Sequence, residues 1–151
     1  MTYILMSQGI LVIMPNRDQL RDDILRTKEF CSRILGVSSK IRYAAVMNEF
    51  GRTIAGQLRK AVVPLFTPVE ARNENYIEAT RTRFRRNFDR SIGKTNYTFT
   101  ENEKVKILVI PGETNFCYVT LDKETELIEV EQIVEAIRKS FISNKIDQEF
   151  T

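Results

Sequence analysis

The sequence predicts a mixed α/β domain of the α+β kind: an antiparallel five-stranded sheet in the order α-β-β-α-β-β-β-α, with helices on both faces. Three observations carry this. Ile41 to Lys60, IRYAAVMNEFGRTIAGQLRK, reads as two strands joined by a tight turn, and the first strand is apolar on both faces, as a covered central strand would be. Segments with helical periodicity flank this hairpin on either side. Three runs rich in β-branched and aromatic residues follow, separated by links short enough for antiparallel connection, before a last amphipathic segment.

Within the hairpin, Ile41, Tyr43, Ala45 and Met47 fall on one strand face, with Ala44 and Val46 on the other. Asn48 to Gly51 supplies the turn, and Gly51 takes the positive φ that closes it. The return strand runs from Arg52 to about Leu58, with Gly56 marking a bulge or a close approach. Before the hairpin, Asn16 caps a helix, Gln19 stands at capping-box spacing, and Gly36 occupies the place of a left-handed C-terminal residue. Leu20, Ile24, Cys31, Ile34 and Leu35 form its expected core face, while Asp23 belongs to a mixed-sign solvated surface.

After the hairpin, Ala61 to Phe66 is an apolar connector, and Thr67, Pro68 and Glu70 open a second helix that runs to Ile92, where Gly93 stops it. Val69, Tyr76, Ile77, Thr80, Phe84, Phe88 and Ile92 share one broad arc, a core or interface face. Arg72, Arg83, Arg86 and Arg90 fall in a narrow stripe, and Glu74, Glu78 and Asp89 collect on the opposite flank. An ordinary solvated face accounts for this segregation; read functionally, the stripe fits an acidic protein, phosphate or nucleic-acid partner. Strands are expected at Asn96–Thr100, with Tyr97 and Phe99 on one face, at Val105–Ile110 and at Phe116–Leu121. The last helix, about Ile128 to Phe141, carries Val130, Ile133, Val134, Ile137 and Phe141 at the i, i+3, i+4, i+7, i+11 spacing of one helical face.

Residues 16–142 thus form one domain, flanked by an apolar extension, 1–15, and a polar tail, 143–151. The apolar stretch Tyr3 to Met14 is too short for a membrane span, which needs about 20 residues, and it lacks the basic leader of a secretory signal. Ile10 to Met14 has strand character and is expected to add an edge strand or contact a partner. Met6 and Met14 leave open a later translation start.

Composition removes whole classes of chemistry. There is no histidine, so the commonest neutral-pH general base and metal ligand is missing. Cys31 and Cys117 are far apart within apolar patterns and read as reduced core residues of a cytoplasmic protein. No phosphate loop is present, so any nucleotide would belong to a partner, and no cofactor or metal is expected. Glu49, Glu113 and Arg59 with Lys60 are the polar clusters near turns, and turn positions explain them better than catalysis does. With 28% charged residues and a net charge of +3, there is no global demand for nucleic acid. The basic stripe also lacks the interleaved aromatic platform of single-strand binders.

The element order, together with the phrase VMNEFGRTIAG, resembles the roadblock/dynein light chain and longin group of profilin-like domains. With RKAVVPL, that phrase is also similar to an uncharacterised family of small archaeal proteins from ammonia oxidisers. The roadblock resemblance implies a non-enzymatic interaction or scaffolding module that dimerises and associates with small GTPases. By that resemblance the expected partners are a second copy and a small GTPase; Tyr76, Phe84, Tyr97 and Phe99 are the expected dimer-interface residues, and Arg72, Arg83, Arg86 and Arg90, on a helix more basic than the family's pattern, are the expected partner-binding stripe. For the dimer, pairing of the Asn96–Thr100 edge leads, with the second helices meeting by their apolar margin. The alternative is a ligand-sensing domain of PAS or GAF type, which would enclose a polar-lined pocket between helix and sheet.

Overall fold

The computed structural model describes residues 3–7, 10–14 and 16–143, with side chains from 16 to 141. Its elements are β1 (Tyr3–Ser7), β2 (Ile10–Met14), α1 (Arg17–Leu35), β3 (Ile41–Asn48), β4 (Thr53–Leu58), α2 (Pro68–Arg85), a 3-10 turn (Arg86–Phe88), α3 (Asp89–Ile92), β5 (Thr98–Glu101), β6 (Val105–Pro111), β7 (Asn115–Asp122) and α4 (Leu127–Ser143). The five-stranded sheet is antiparallel throughout, in the order β4-β3-β7-β6-β5. Among the described residues β1 and β2 pair only with each other, so the expected strand at Ile10–Met14 joins a separate hairpin and not the edge of the main sheet. The start at Met1 and the polar tail beyond Ser143 lie outside the described residues.

The helices divide between the faces as the paired apolar faces of the strands require. α1 and α4 cover one face, where Phe30, Ile34, Ile133, Ile137 and Phe141 pack on Ala44, Val46, Leu108, Cys117, Val119 and Leu121. On the other face Ala79 of α2 sits with Ala45, Met47, Ile107, Val109, Phe116 and Tyr118. Ile41 departs from its expected face and joins the α1–α4 side. The register explains it: Ile41 pairs with Leu121 and Tyr43 with Thr120, so Arg42 is an extra residue that turns the strand over.

The buried face of α1 is Asp23, Thr27, Phe30, Cys31, Ile34 and Leu35, rotated from the expected one. Leu20 is 45% exposed, within a helix start, residues 17–22, that is exposed throughout. Asp23 is buried with Arg26 on its carboxylate, and the Thr27 hydroxyl donates to its carbonyl at 2.8 Å.

Gly36 is also corrected: its φ of −77° is right-handed. The helix end is closed from outside by Arg59, which donates from Nη2 to the carbonyls of Leu35 and Ser38 and from Nε to Ile41 O at 2.6 Å. A guanidinium holding three carbonyls replaces the left-handed cap. Arg59→Met is therefore expected to lower stability by about 2–3 kcal/mol, while Lys60→Met, at an exposed neighbour, stays within about 0.5 kcal/mol in denaturant unfolding.

Gly51 closes the β3–β4 turn with φ +83°, and a methyl group there would stand 2.7 Å from the Asn75 carbonyl oxygen of α2. The hairpin tip is thus pressed against the second helix, and Asn75 Nδ2 adds a bond to Thr53 Oγ1. Gly56 lies under the Tyr43 ring, whose hydroxyl would be 2.3 Å from an added Cβ. Close approach, not a ligand, explains it.

Candidate interaction surface

α2 begins as its sequence dictates. Thr67 is extended, its Oγ1 accepts from Glu70 N at 3.2 Å, and Pro68 takes the first helical position. Only Glu78, Ala79 and Thr82 of the helix are buried against the sheet. At about 100° per residue, Tyr76, Ile77, Thr80 and Phe84 lie on the opposite side. There Tyr76 is 61% exposed, Ile77 50% and Phe84 62%, and Phe88 and Ile92 extend the same apolar surface. Of the two readings open for this arc, core or interface, it is not core.

The expected continuous helix to Ile92 is interrupted. After Arg85 the chain passes through the 3-10 turn and a four-residue helix before Gly93, with no buried side chain in either piece. Packing holds α2 to the sheet only as far as Thr82, so nothing beyond enforces a straight helix.

This break divides the arginine stripe. Arg72 and Arg90 are exposed. Arg83 lies over the Phe50 ring at the hairpin tip, 5.5 Å from its centroid, and donates to Thr80 Oγ1. Arg86 turns inward and donates to the Gly112 carbonyl at 3.1 Å. The structure also separates the aromatic set. Tyr76 and Phe84 face outward from α2, Phe99 packs against the α1–α4 core on the other sheet face, and Tyr97 is 37% exposed just before the edge strand β5. Glu49 and Glu113 are exposed at turns.

The acidic flank of α2 is where periodicity misled. Glu78 is 3% exposed, facing the sheet beside Tyr118, with Arg81 at 3.4 Å. Burial pushes its carboxyl up from 4.5 to about 6, with Arg81 opposing and Glu74 reinforcing the rise. The Tyr118 phenol is pushed up by burial and then by Glu74 and Glu78, and its buried hydroxyl has no partner among the described residues. The folded Glu78 carboxyl holds its proton more tightly than the unfolded one, so stability is full below about pH 4.5 and falls as pH rises to about 6. The loss is about 2 kcal/mol. Glu78→Gln is expected to flatten that slope and to stabilise the protein at neutral pH by about 1–2 kcal/mol, read from denaturant midpoints across pH.

Cys31 and Cys117 are buried and free, and burial pushes the Cys31 thiol up to about 12. A cleft of about 250 Å³ opens between the connector, α2 and the sheet; its walls are mostly apolar, with Leu58, Pro64, Leu65 and Phe66 beside Tyr43 and Tyr118, and Arg42, Asn75 and Thr120 are its other polar members. Among the described residues there is no cluster of His, Cys, Asp and Glu fit to hold a metal, and no helix is long and apolar enough to cross a membrane.

No protein-family model and no curated protein matches the sequence. Solved structures do match the fold. The chain is similar to MglB in a tetrameric arrangement, with a TM-score of 0.67 and 15% identity over 84% of this chain and 91% of that one. The gliding protein MglB from Thermus thermophilus gives 0.67 and 16%, over 84% of this chain and 92% of that one. A Roadblock/LC7 domain from Streptomyces avermitilis gives 0.54 and 12%, over 76% and 97%. The fold is roadblock/longin-like, within the profilin-like group.

Proposed function

We propose that this chain is a non-enzymatic protein-interaction module that pairs with a second copy of itself through the outer face of α2, and as that dimer engages a protein partner such as a small GTPase in the cytoplasm. The observation that carries the reading is the apolar face of Tyr76, Ile77 and Phe84, each at least half exposed and turned away from the sheet. A second copy is the favoured occupant because MglB, of like fold, is known in a tetrameric arrangement, and because a two-fold contact sets the same patch on both copies. In an antiparallel two-fold pair like flanks of the helices meet, and repulsion between the two arginine flanks is reduced because Arg83 is held over Phe50 and Arg86 turns inward. The open edge of β5, the end strand of the sheet, adds a second place for contact beside Tyr97. The GTPase partner rests on the roadblock resemblance, with Arg72 and Arg90 as exposed contacts, and the cytoplasm on the two buried free thiols. Light scattering during gel filtration tests the pairing: a mass about twice 17.6 kDa is expected. A mass of one chain, unchanged on raising the concentration about tenfold, would refute it.

A further inference from the structure

The C-terminal half of α2, residues 94–98, the β6–β7 turn and the last turns of α4 enclose a cleft of about 460 Å³. None of Tyr76, Ile77 or Phe84 lines it, so a role for this cleft goes beyond the dimer reading and stands or falls separately. Five cations, Arg81, Arg85, Arg86, Lys94 and Arg138, face two carboxylates, Asp89 and Glu113. Among the described residues only Arg81 of the five has a carboxylate partner, Glu78.

Two of the others are positioned without being neutralised. Arg86 donates to the Gly112 carbonyl at 3.1 Å and Arg138 to Asn96 Oδ1 at 3.3 Å. A neutral acceptor fixes one nitrogen of each guanidinium and leaves the remaining donors of the fork, and the whole charge, for something else. The buried side chains of Ile110 and Phe141 form apolar wall beside them, where charge interactions are stronger than in open water.

We propose that this cleft binds an oligophosphate group, two or more linked phosphates. Guanidinium forks match phosphate oxygens, and several cations converging in a concave, small-molecule-sized space suit a compact anion of multiple charge. A long polyanion would need a basic track running past the cleft, but the stripe is broken where Arg86 leaves it. The cradle is made of side chains, which is why it needs no phosphate loop.

The test is calorimetry with sodium tripolyphosphate on the full chain. Saturable binding of one per chain is expected, weakened about tenfold or more in Arg86→Gln with Arg138→Gln and unchanged in the control pair Arg21→Gln with Arg33→Gln, which are exposed on α1. Circular dichroism checks that both pairs remain folded. Citrate, also multiply charged but without phosphate, is expected not to compete. A nucleoside triphosphate binding as tightly would assign the site to soluble phosphates. Retention on vesicles carrying a bisphosphorylated inositol lipid, lost in the cleft pair, would assign it to a headgroup. No saturable binding of any of these probes up to about 1 mM, equal loss in the control pair, or citrate binding as tightly would overturn the proposal.

Discussion

Ile77→Asp combined with Phe84→Asp is expected to convert a dimer into a folded monomer of 17.6 kDa. Both side chains lie on the outer face of α2, at 50% and 62% exposure, so a carboxylate at either place stays hydrated in the isolated chain and leaves its core untouched. In the pair the same carboxylates would be buried against their own copies, doubled by the symmetry. Losing an aromatic or aliphatic anchor costs about 2 kcal/mol at each central position, which for two positions on each of two copies is about 8 kcal/mol, or about a millionfold in dissociation constant. Unchanged circular dichroism with a halved mass is the expected pair of results. An unchanged mass would move the interface off this face.

The second large effect lies in the core. Phe30 is fully buried, and its ring stands 5.6 Å from that of Phe141, joining α1 to α4 over the sheet. Phe30→Ala removes the ring and leaves a cavity whose walls are held by the strands, a loss of about 3–5 kcal/mol. Against a typical total of about 5–15 kcal/mol, that is a large share of the stability. Leu25→Ala, at a half-exposed position of the same helix, is expected to stay within about 0.5 kcal/mol. Because Phe30 and Phe141 touch, Phe30→Ala with Phe141→Ala should cost less than the two changes added. Denaturant unfolding of the four variants checks all of this.

The parts of the fold that could be read from the sequence are those in which one local signal decides the structure. Val130, Ile133, Val134, Ile137 and Phe141 recur at helical spacing and all five are buried. Gly51 closes its turn, and Thr67 with Pro68 starts α2. What could not be read depends on contacts between distant segments. Ile41 changes face because of one extra residue opposite β7, and a strict alternation cannot show that. The C-terminus of α1 is closed by Arg59, more than twenty positions from the carbonyls of Leu35 and Ser38.

On α2 the periodicity found the right residues and left their environment open. An apolar arc and an acidic flank on one helix fit either orientation, and the expectation placed the acidic flank in solvent. The structure buries Glu78 and Thr82 and exposes Tyr76 and Phe84, because small and short side chains around Ala79 allow the helix closest to the sheet on that side. The cationic cleft was beyond sequence reading altogether. Arg86 was singled out for a stripe, but Arg81, Arg85, Lys94 and Arg138 join it only through the 3-10 turn, the loop before β5 and the end of α4.

The central claim, that a second copy covers the outer face of α2, is tested most directly by single cysteines placed at Ile77, Thr80 and Phe84 and treated with a short bis-maleimide. Cys31 and Cys117 are buried, so the introduced thiol is the reactive one. In a two-fold pair, residues near the axis lie beside their own copies, and high yields of linked dimer are expected from this set, peaking at the position nearest the axis. A cysteine at Lys123, exposed in the turn before α4, is expected to give almost none. Yields from all three α2 positions no higher than from Lys123→Cys would contradict the account.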